Sequence, residues 1–183
     1  MAVLSLANLR EPPARDASSL HSEYRRFILS AAGTATATII PLADSSGAPN
    51  TGAELPSINP SFEGRQHCFV YFWAVQLGGE PSWAHSGILK KNVCAAEGAE
   101  PVRYWQRPGH FPGEPTFVPT PGGSDEDDGI LLVATHDGAD RDYLLVLNAS
   151  SMQTLAEIRR DNAATPQRLI AFGIHGRFFA DTS

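Results

Sequence analysis

The chain has 183 residues, 42% of them hydrophobic and 19% charged, with a formal net charge of −6. This describes one ordinary globular domain, long enough to bury about two thirds of its unfolded surface, and the acidic balance argues against nucleic acid as a partner. Sixteen glycines and fourteen prolines spread along it favour many short strands over helices, and the longest apolar run, Cys68 to Val75, is far too short to span a bilayer.

Residues 1–22 hold Pro12-Pro13 and a Ser/Ala mixture without sustained periodicity. They read as a loosely ordered arm, with His21 a surface residue, ahead of a domain over 23–183. No charged-then-apolar leader opens the chain, so a secreted protein is not expected. Thr34 to Ile40, TATATII, predicts a half-buried strand, and Asp44 to Gly52 a turn-rich loop. Glu54-Leu55-Pro56-Ser57-Ile58-Asn59-Pro60 then places a carboxylate beside a proline at a strand entry. Aromatic and β-branched residues alternate through Phe69 to Val75, the strongest strand of the first half. Cys68 and Cys94 are the two cysteines, and their spacing supports neither a disulfide framework nor a zinc knuckle. A reducing compartment, cytosol or organelle stroma, is therefore the expected one. Leu77 to Ser86 reads as a loop, and Ile88 to Val93 and Pro101 to Gln106 as two short strands continuing a meander.

From Gly109 the chain reads GHFPGEPTFVPTPGGSDEDDGILLVATHDG. Pro112, Pro115, Pro119 and Pro121 exclude helix, since each fixes φ and removes an N–H donor. The stretch predicts a punctuated loop holding Glu114, a short strand over Thr116 to Val118, an acidic turn and a strand over Ile130 to Ala134. Tyr143 to Leu147 and Thr154 to Arg160 follow as strands, through turns at Asp137-Gly138 and Asn148 to Met152. The four strands within 116–160 are expected to form one antiparallel sheet. Asp125 to Asp128 lacks the alternation of a calcium loop and reads as a solvated, charged hairpin. His67, His85, His110 and His136 read as structural histidines, although His110 lies four positions from Glu114. No GxSxG elbow, HExxH, phosphate loop or CxxC occurs. Near the C-terminus, Phe172-Gly173-Ile174-His175-Gly176-Arg177-Phe178-Phe179 sets one histidine between glycines in an aromatic segment. An imidazole is the commonest metal ligand, and its second nitrogen usually donates to a carboxylate.

Taken together and in order, these segments resemble the carotenoid cleavage oxygenases, the family that includes β-carotene cleavage enzymes and the retinoid isomerase of the retinal pigment epithelium. The resemblance rests on ELPSINP (54–60), HCFVYFWAV (67–75), GILKKNV (87–93), GEPTFVP (113–119), EDDGILLV (126–133), YLLVLNASSMQTLAEI (143–158) and FGIHGRFF (172–179), with EYRRFIL (23–29) a fainter match. It corresponds to the C-terminal third of a family member. The all-β reading stands on the residues; the resemblance adds a partial β-propeller, about three of the family's seven blades, each an antiparallel four-stranded meander.

The resemblance also implies roles. His175 matches the last of four histidines that hold the family's non-haem Fe(II), and Glu54 and Glu114 match two of the three glutamates that hydrogen-bond such histidines. Four neutral imidazoles leave the ion its full charge and leave room for O2. The implied reaction is oxidative cleavage of a conjugated double bond in a carotenoid or apocarotenoid, with Phe111, Phe117 and Phe172 as candidates for lining the apolar tunnel, each also readable as core. Family members draw substrates from membranes, so peripheral membrane contact, from the cytoplasm or a plastid stroma, belongs to the same expectation. The remaining three histidines and the first glutamate lie upstream in the family, so residues 1–183 alone are expected to be inactive. The alternative is a non-catalytic propeller fragment or degenerate paralogue acting as a binding or structural module.

Overall fold

The computed structural model describes Glu11 and residues 24–40, 52–75, 85–95, 102–138, 141–159 and 175–179. The expected arm over 1–22, apart from Glu11, lies outside the described residues, as do His21 and Phe172. A hairpin comes first, pairing β1 (Arg25–Leu29) with β2 (Ala35–Ile39). Next comes an antiparallel sheet of β3 (Ala53–Ser57), β4 (Phe69–Ala74), β5 (Gly87–Asn92) and β6 (Arg103–Gln106), neighbours in space as in sequence. A second such sheet holds β7 (His110–Pro119), β8 (Gly129–Asp137), β9 (Tyr143–Asn148) and β10 (Thr154–Ile158). The expected sheet within 116–160 is therefore present, and every pairing is antiparallel. Where about three four-stranded units were expected, the described residues make two plus the hairpin.

Strand alternation explains how the layers stack. Tyr71 and Ile88 point to one face of the first sheet and meet Phe117, Leu131, Val133, Leu145 and Leu147 of the second in one core. Val70, Phe72, Ala74 and Leu89 point the other way and form a smaller core with Tyr24 and Ile40, which flank the hairpin. Tyr24 meets Phe72 edge to face, ring centroids 5.2 Å apart. Residues of period two thus cover both faces of the first sheet. The hairpin itself differs from its expectation: β2 is exposed along its whole length rather than half-buried, and Phe27, Ile28 and Leu29 of β1 are exposed too.

Prolines do not end β7, as the sequence reading had it; the strand runs through Pro112, Pro115 and Pro119. It lies at the edge of its sheet and its register shifts between Pro112 and Pro115. An edge and a bulge are the two places where a residue without an N–H costs no ladder bond. Gly129 opens β8 for a steric reason: a Cβ there would lie 2.5 Å from the Val118 carbonyl oxygen and 2.7 Å from the Phe117 ring.

The acidic turn is not a solvated hairpin. Glu126 folds onto the first sheet, where its carboxylate accepts the backbone N–H of Cys68, at 2.7 Å to Oε1, and that of Phe69. Asp127 pairs with the buried Lys90 ammonium at 2.6 Å, and Lys90 also donates to the Ser150 carbonyl at 3.0 Å and lies 4.2 Å over the Phe69 ring. Tyr71 adds a bond from its hydroxyl to the Ala149 carbonyl, 3.1 Å. Its phenol is pushed well above its usual range by burial, with Asp127 and Glu126 adding to the effect. Together these contacts clasp the two sheets.

The cysteines also depart from expectation, because Cys68 and Cys94 form a disulfide, with Cα atoms 5.0 Å apart. The β4–β5 register brings Phe69 opposite Asn92 and lets the Val93 N–H reach the Cys68 carbonyl at 2.7 Å, so the pair meets just beyond the ladder's end. A separation of 26 residues carried no sign of this.

Candidate functional site

Two carboxylates occupy matching places. Glu54 lies where β3 bulges, the register against β4 shifting between Glu54 and Ser57, with Leu55 at φ 52°. Glu114 lies inside the bulge of β7. Each of these strands edges its own sheet, and the two edges pack against each other. A bulge turns a side chain off the alternation of its strand, which accounts for a glutamate in two otherwise apolar or proline-rich runs.

The segment 175–179 lies across β7 at this point. His175 Nδ1 donates to Glu114 Oε1 over 3.3 Å, and the Gly176 N–H donates to Glu114 Oε2 at 2.9 Å. Residues 61 positions apart are thus joined through one carboxylate. The His175 side chain is 77% exposed while that of Glu114 is 16% exposed, so Glu114 anchors and His175 projects. An imidazole whose Nδ1–H is held by a carboxylate can offer its Nε2 to a metal.

Clefts open on both sides of this pair. One, of about 460 Å3, runs between the two sheet edges past Pro56, Ile58, Glu114, Phe117, Arg177 and Phe178. The other, about 280 Å3, lies over Leu132, Ala134 and Leu144 beneath His175 and Phe178. Glu54 is exposed and lines neither cleft. Of the tunnel candidates, Phe117 is 3% exposed and packs on Tyr71 in the core, its edge reaching the larger cleft. Phe111 is 37% exposed and lines neither. Phe178 lines both and was not singled out; its place beside the histidine in FGIHGRFF was the available signal.

Two of the other described histidines have side-chain partners. His110 Nδ1 and the Tyr143 hydroxyl share a hydrogen bond of 2.9 Å. Burial, with the nearby Arg107 charge, lowers the His110 pKa, and burial raises that of Tyr143, so both groups suit this neutral bond. His136 Nδ1 lies 2.8 Å from Asp142 Oδ1. Among the described residues no three His, Cys, Asp or Glu side chains stand close enough to hold a metal ion between them. No helix among them is long and apolar enough to cross a membrane.

Two antiparallel meanders meeting at their edge strands define part of a β-propeller, with a carboxylate–imidazole pair at the line where the edges meet. Comparison with known proteins gives the particular class: the family described as retinal pigment epithelial membrane protein matches residues 2–180, and the chain belongs to this family of carotenoid cleavage oxygenases. It is 38% identical over 131 residues to a carotenoid dioxygenase of Neurospora crassa, covering 70% of this chain and 19% of that protein. It is 32% identical over 132 residues to the β,β-carotene 15,15′-dioxygenase of Mus musculus, 71% of this chain and 21% of that one. Among solved structures, a cobalt-substituted apocarotenoid oxygenase of Synechocystis superposes with a TM-score of 0.62 at 28% identity, over 77% of this chain and 28% of that one. The chain spans about a fifth of the length of the curated relatives it matches.

Proposed function

We propose that these residues are the C-terminal part of a non-haem Fe(II)-dependent dioxygenase that cleaves a double bond of a carotenoid or apocarotenoid, and that His175 is one of its iron ligands. The observation that carries this reading is the Glu114–His175–Gly176 contact, which holds one imidazole nitrogen and leaves the other open. A structural neighbour described as cobalt-substituted supports a transition metal in a protein of this fold. The described residues fit the metal as one contributor, not as a complete ligand set.

When bound, the iron would supply activation of O2 beside the polyene. The chain's own residues do the positioning. Glu114 holds a proton on His175 Nδ1 and fixes the ring plane, while its second oxygen pins the backbone at Gly176. The bulge at Glu54 gives a second carboxylate at the neighbouring edge, suited to a histidine supplied by the remainder of the longer protein. Phe117, Ile58 and Phe178 give the larger cleft apolar walls fitting a polyene. The exposed apolar residues of β1 are likewise suited to cover by further propeller strands.

The test is a chimera in which these residues replace the matching portion of the Neurospora crassa carotenoid dioxygenase. It should bind iron and cleave a polyene under O2, and His175→Ala in it should abolish both. A chimera that keeps its iron and activity without His175 would refute the assignment. A folded chimera inactive even with His175 would favour the non-catalytic reading.

A further inference from the structure

A separate cleft of about 390 Å3, sharing no described lining residue with the clefts at Glu114, is lined by residues that include Tyr24, Arg26, Arg65, Gln66, His67 and Cys94. In a chain of net charge −6 it brings together two arginines and a histidine, with no carboxylate among its described lining residues. One Arg26 nitrogen donates to the Val93 carbonyl at 2.8 Å, which fixes the guanidinium and leaves its other donors for an anion. The Cys68–Cys94 disulfide adjoins the cleft through Cys94, which is exposed while Cys68 is half-buried. The Cys68 N–H is held by Glu126, and the Cys94 sulfur sits 3.5 Å from the His67 carbonyl.

We propose that this cleft docks an anionic low-molecular-weight thiol of the glutathione class, which exchanges with the disulfide and thiolates Cys94. Glutathione carries two carboxylates for the arginines and one thiol for the sulfur beside them. Its thiolate attacks Cys94 Sγ, the accessible sulfur; the Cys68–Cys94 bond breaks and Cys68 leaves as a thiolate that takes a proton from water. A second glutathione thiolate attacks the glutathione sulfur of the mixed disulfide and releases Cys94, so that two thiols are oxidised to glutathione disulfide and the protein disulfide is reduced. Because Cys68 adjoins the Glu126 clasp, exchange also frees the end of the β4–β5 ladder where the two sheets are fastened.

The 183-residue chain, oxidised, is mixed with reduced glutathione, neutral 2-mercaptoethanol or cationic cysteamine, and each rate is normalised to thiolate concentration. Peptide mass mapping locates the mixed disulfide. Glutathione should add at Cys94 and react roughly threefold to tenfold faster than the neutral thiol, with cysteamine slowest. About 0.5 M salt should erase the ranking, and Arg65→Gln should shrink it while Arg26 remains. Equal rates for the three thiols, addition at Cys68, or a disulfide that does not exchange would each overturn the proposal. The salt arm uses the unaltered chain, so the proposal stays testable if Arg65→Gln fails to fold.

Discussion

Lys90→Met measures the clasp between the two sheets. Lys90 is 6% exposed and its ammonium serves Asp127 at 2.6 Å and the Ser150 carbonyl at 3.0 Å. Methionine keeps most of the stem's packing and removes the charge. Breaking a buried ion pair costs about 3–5 kcal/mol when the remaining charge stays sealed. Asp127 retains 22% exposure, so water can reach it and about 2 kcal/mol is the better figure. The Ser150 carbonyl adds about 1 kcal/mol for its lost donor. A total near 3 kcal/mol lowers the melting temperature by roughly 6–12 °C in a chain of this size. Lys90→Met with Asp127→Leu should recover most of that, because no charge is then stranded.

The pH dependence follows from the same pair. Burial pushes the Asp127 carboxyl up, but the hydrogen bond and charge of Lys90, with help from Ser150, outweigh it and hold the group below its ordinary value. A folded-state pKa below the unfolded one gives stability that is complete above the unfolded pKa and is lost as pH falls through the folded one. In Lys90→Met burial acts on Asp127 without the lysine and pushes its carboxyl up, so the margin of the unaltered chain is full at neutral pH and closes on acidification, beginning above the ordinary carboxylate range. Thermal unfolding followed by circular dichroism from neutral pH into acid is the assay. A variant within about 0.5 kcal/mol of the parent at neutral pH, or a margin that persists in acid, would refute this reasoning.

Gly129→Ala should destabilise by about 2–3 kcal/mol in denaturant titration, since its methyl meets the Val118 carbonyl and the Phe117 ring at 2.5 and 2.7 Å. Glu114→Gln places an amide NH2 against one of two N–H donors, so the Gly176 amide should exchange hydrogen about fivefold faster, a loss near 1 kcal/mol.

Local chemistry made much of the fold legible. Proline and glycine spacing excluded helix, and the runs ILLVA and YLLVL could be buried only as strands. Their pairing followed because turn residues separate them by a few positions. What a single sequence does not carry is where a turn's side chains go. Four acids in a row look solvated, yet Glu126 and Asp127 reach partners on the first sheet, Cys68, Phe69 and Lys90, that lie far away in the sequence. A lysine inside GILKKN was the overlooked sign that a charge must find a partner in the core. The disulfide escaped notice for the same reason, since only the β4–β5 register brings its sulfurs together. The prolines of β7 were read as loop because edge position, which tolerates them, is a property of the sheet. Within the site, the matching residues of the family pointed to His175 and Glu114, whereas the contribution of the Gly176 backbone N–H needed coordinates.

Iron content of the purified 183-residue chain tests the central claim most directly, with the Neurospora crassa chimera measured beside it. One backed imidazole is a weak chelator, and the described residues offer no cluster to complete the set. The chain alone should hold no stoichiometric iron after desalting and cleave no carotenoid, while the chimera should hold about one iron per chain, lost on His175→Ala. About one tightly held iron on the isolated chain, with polyene cleavage under O2, would contradict the account.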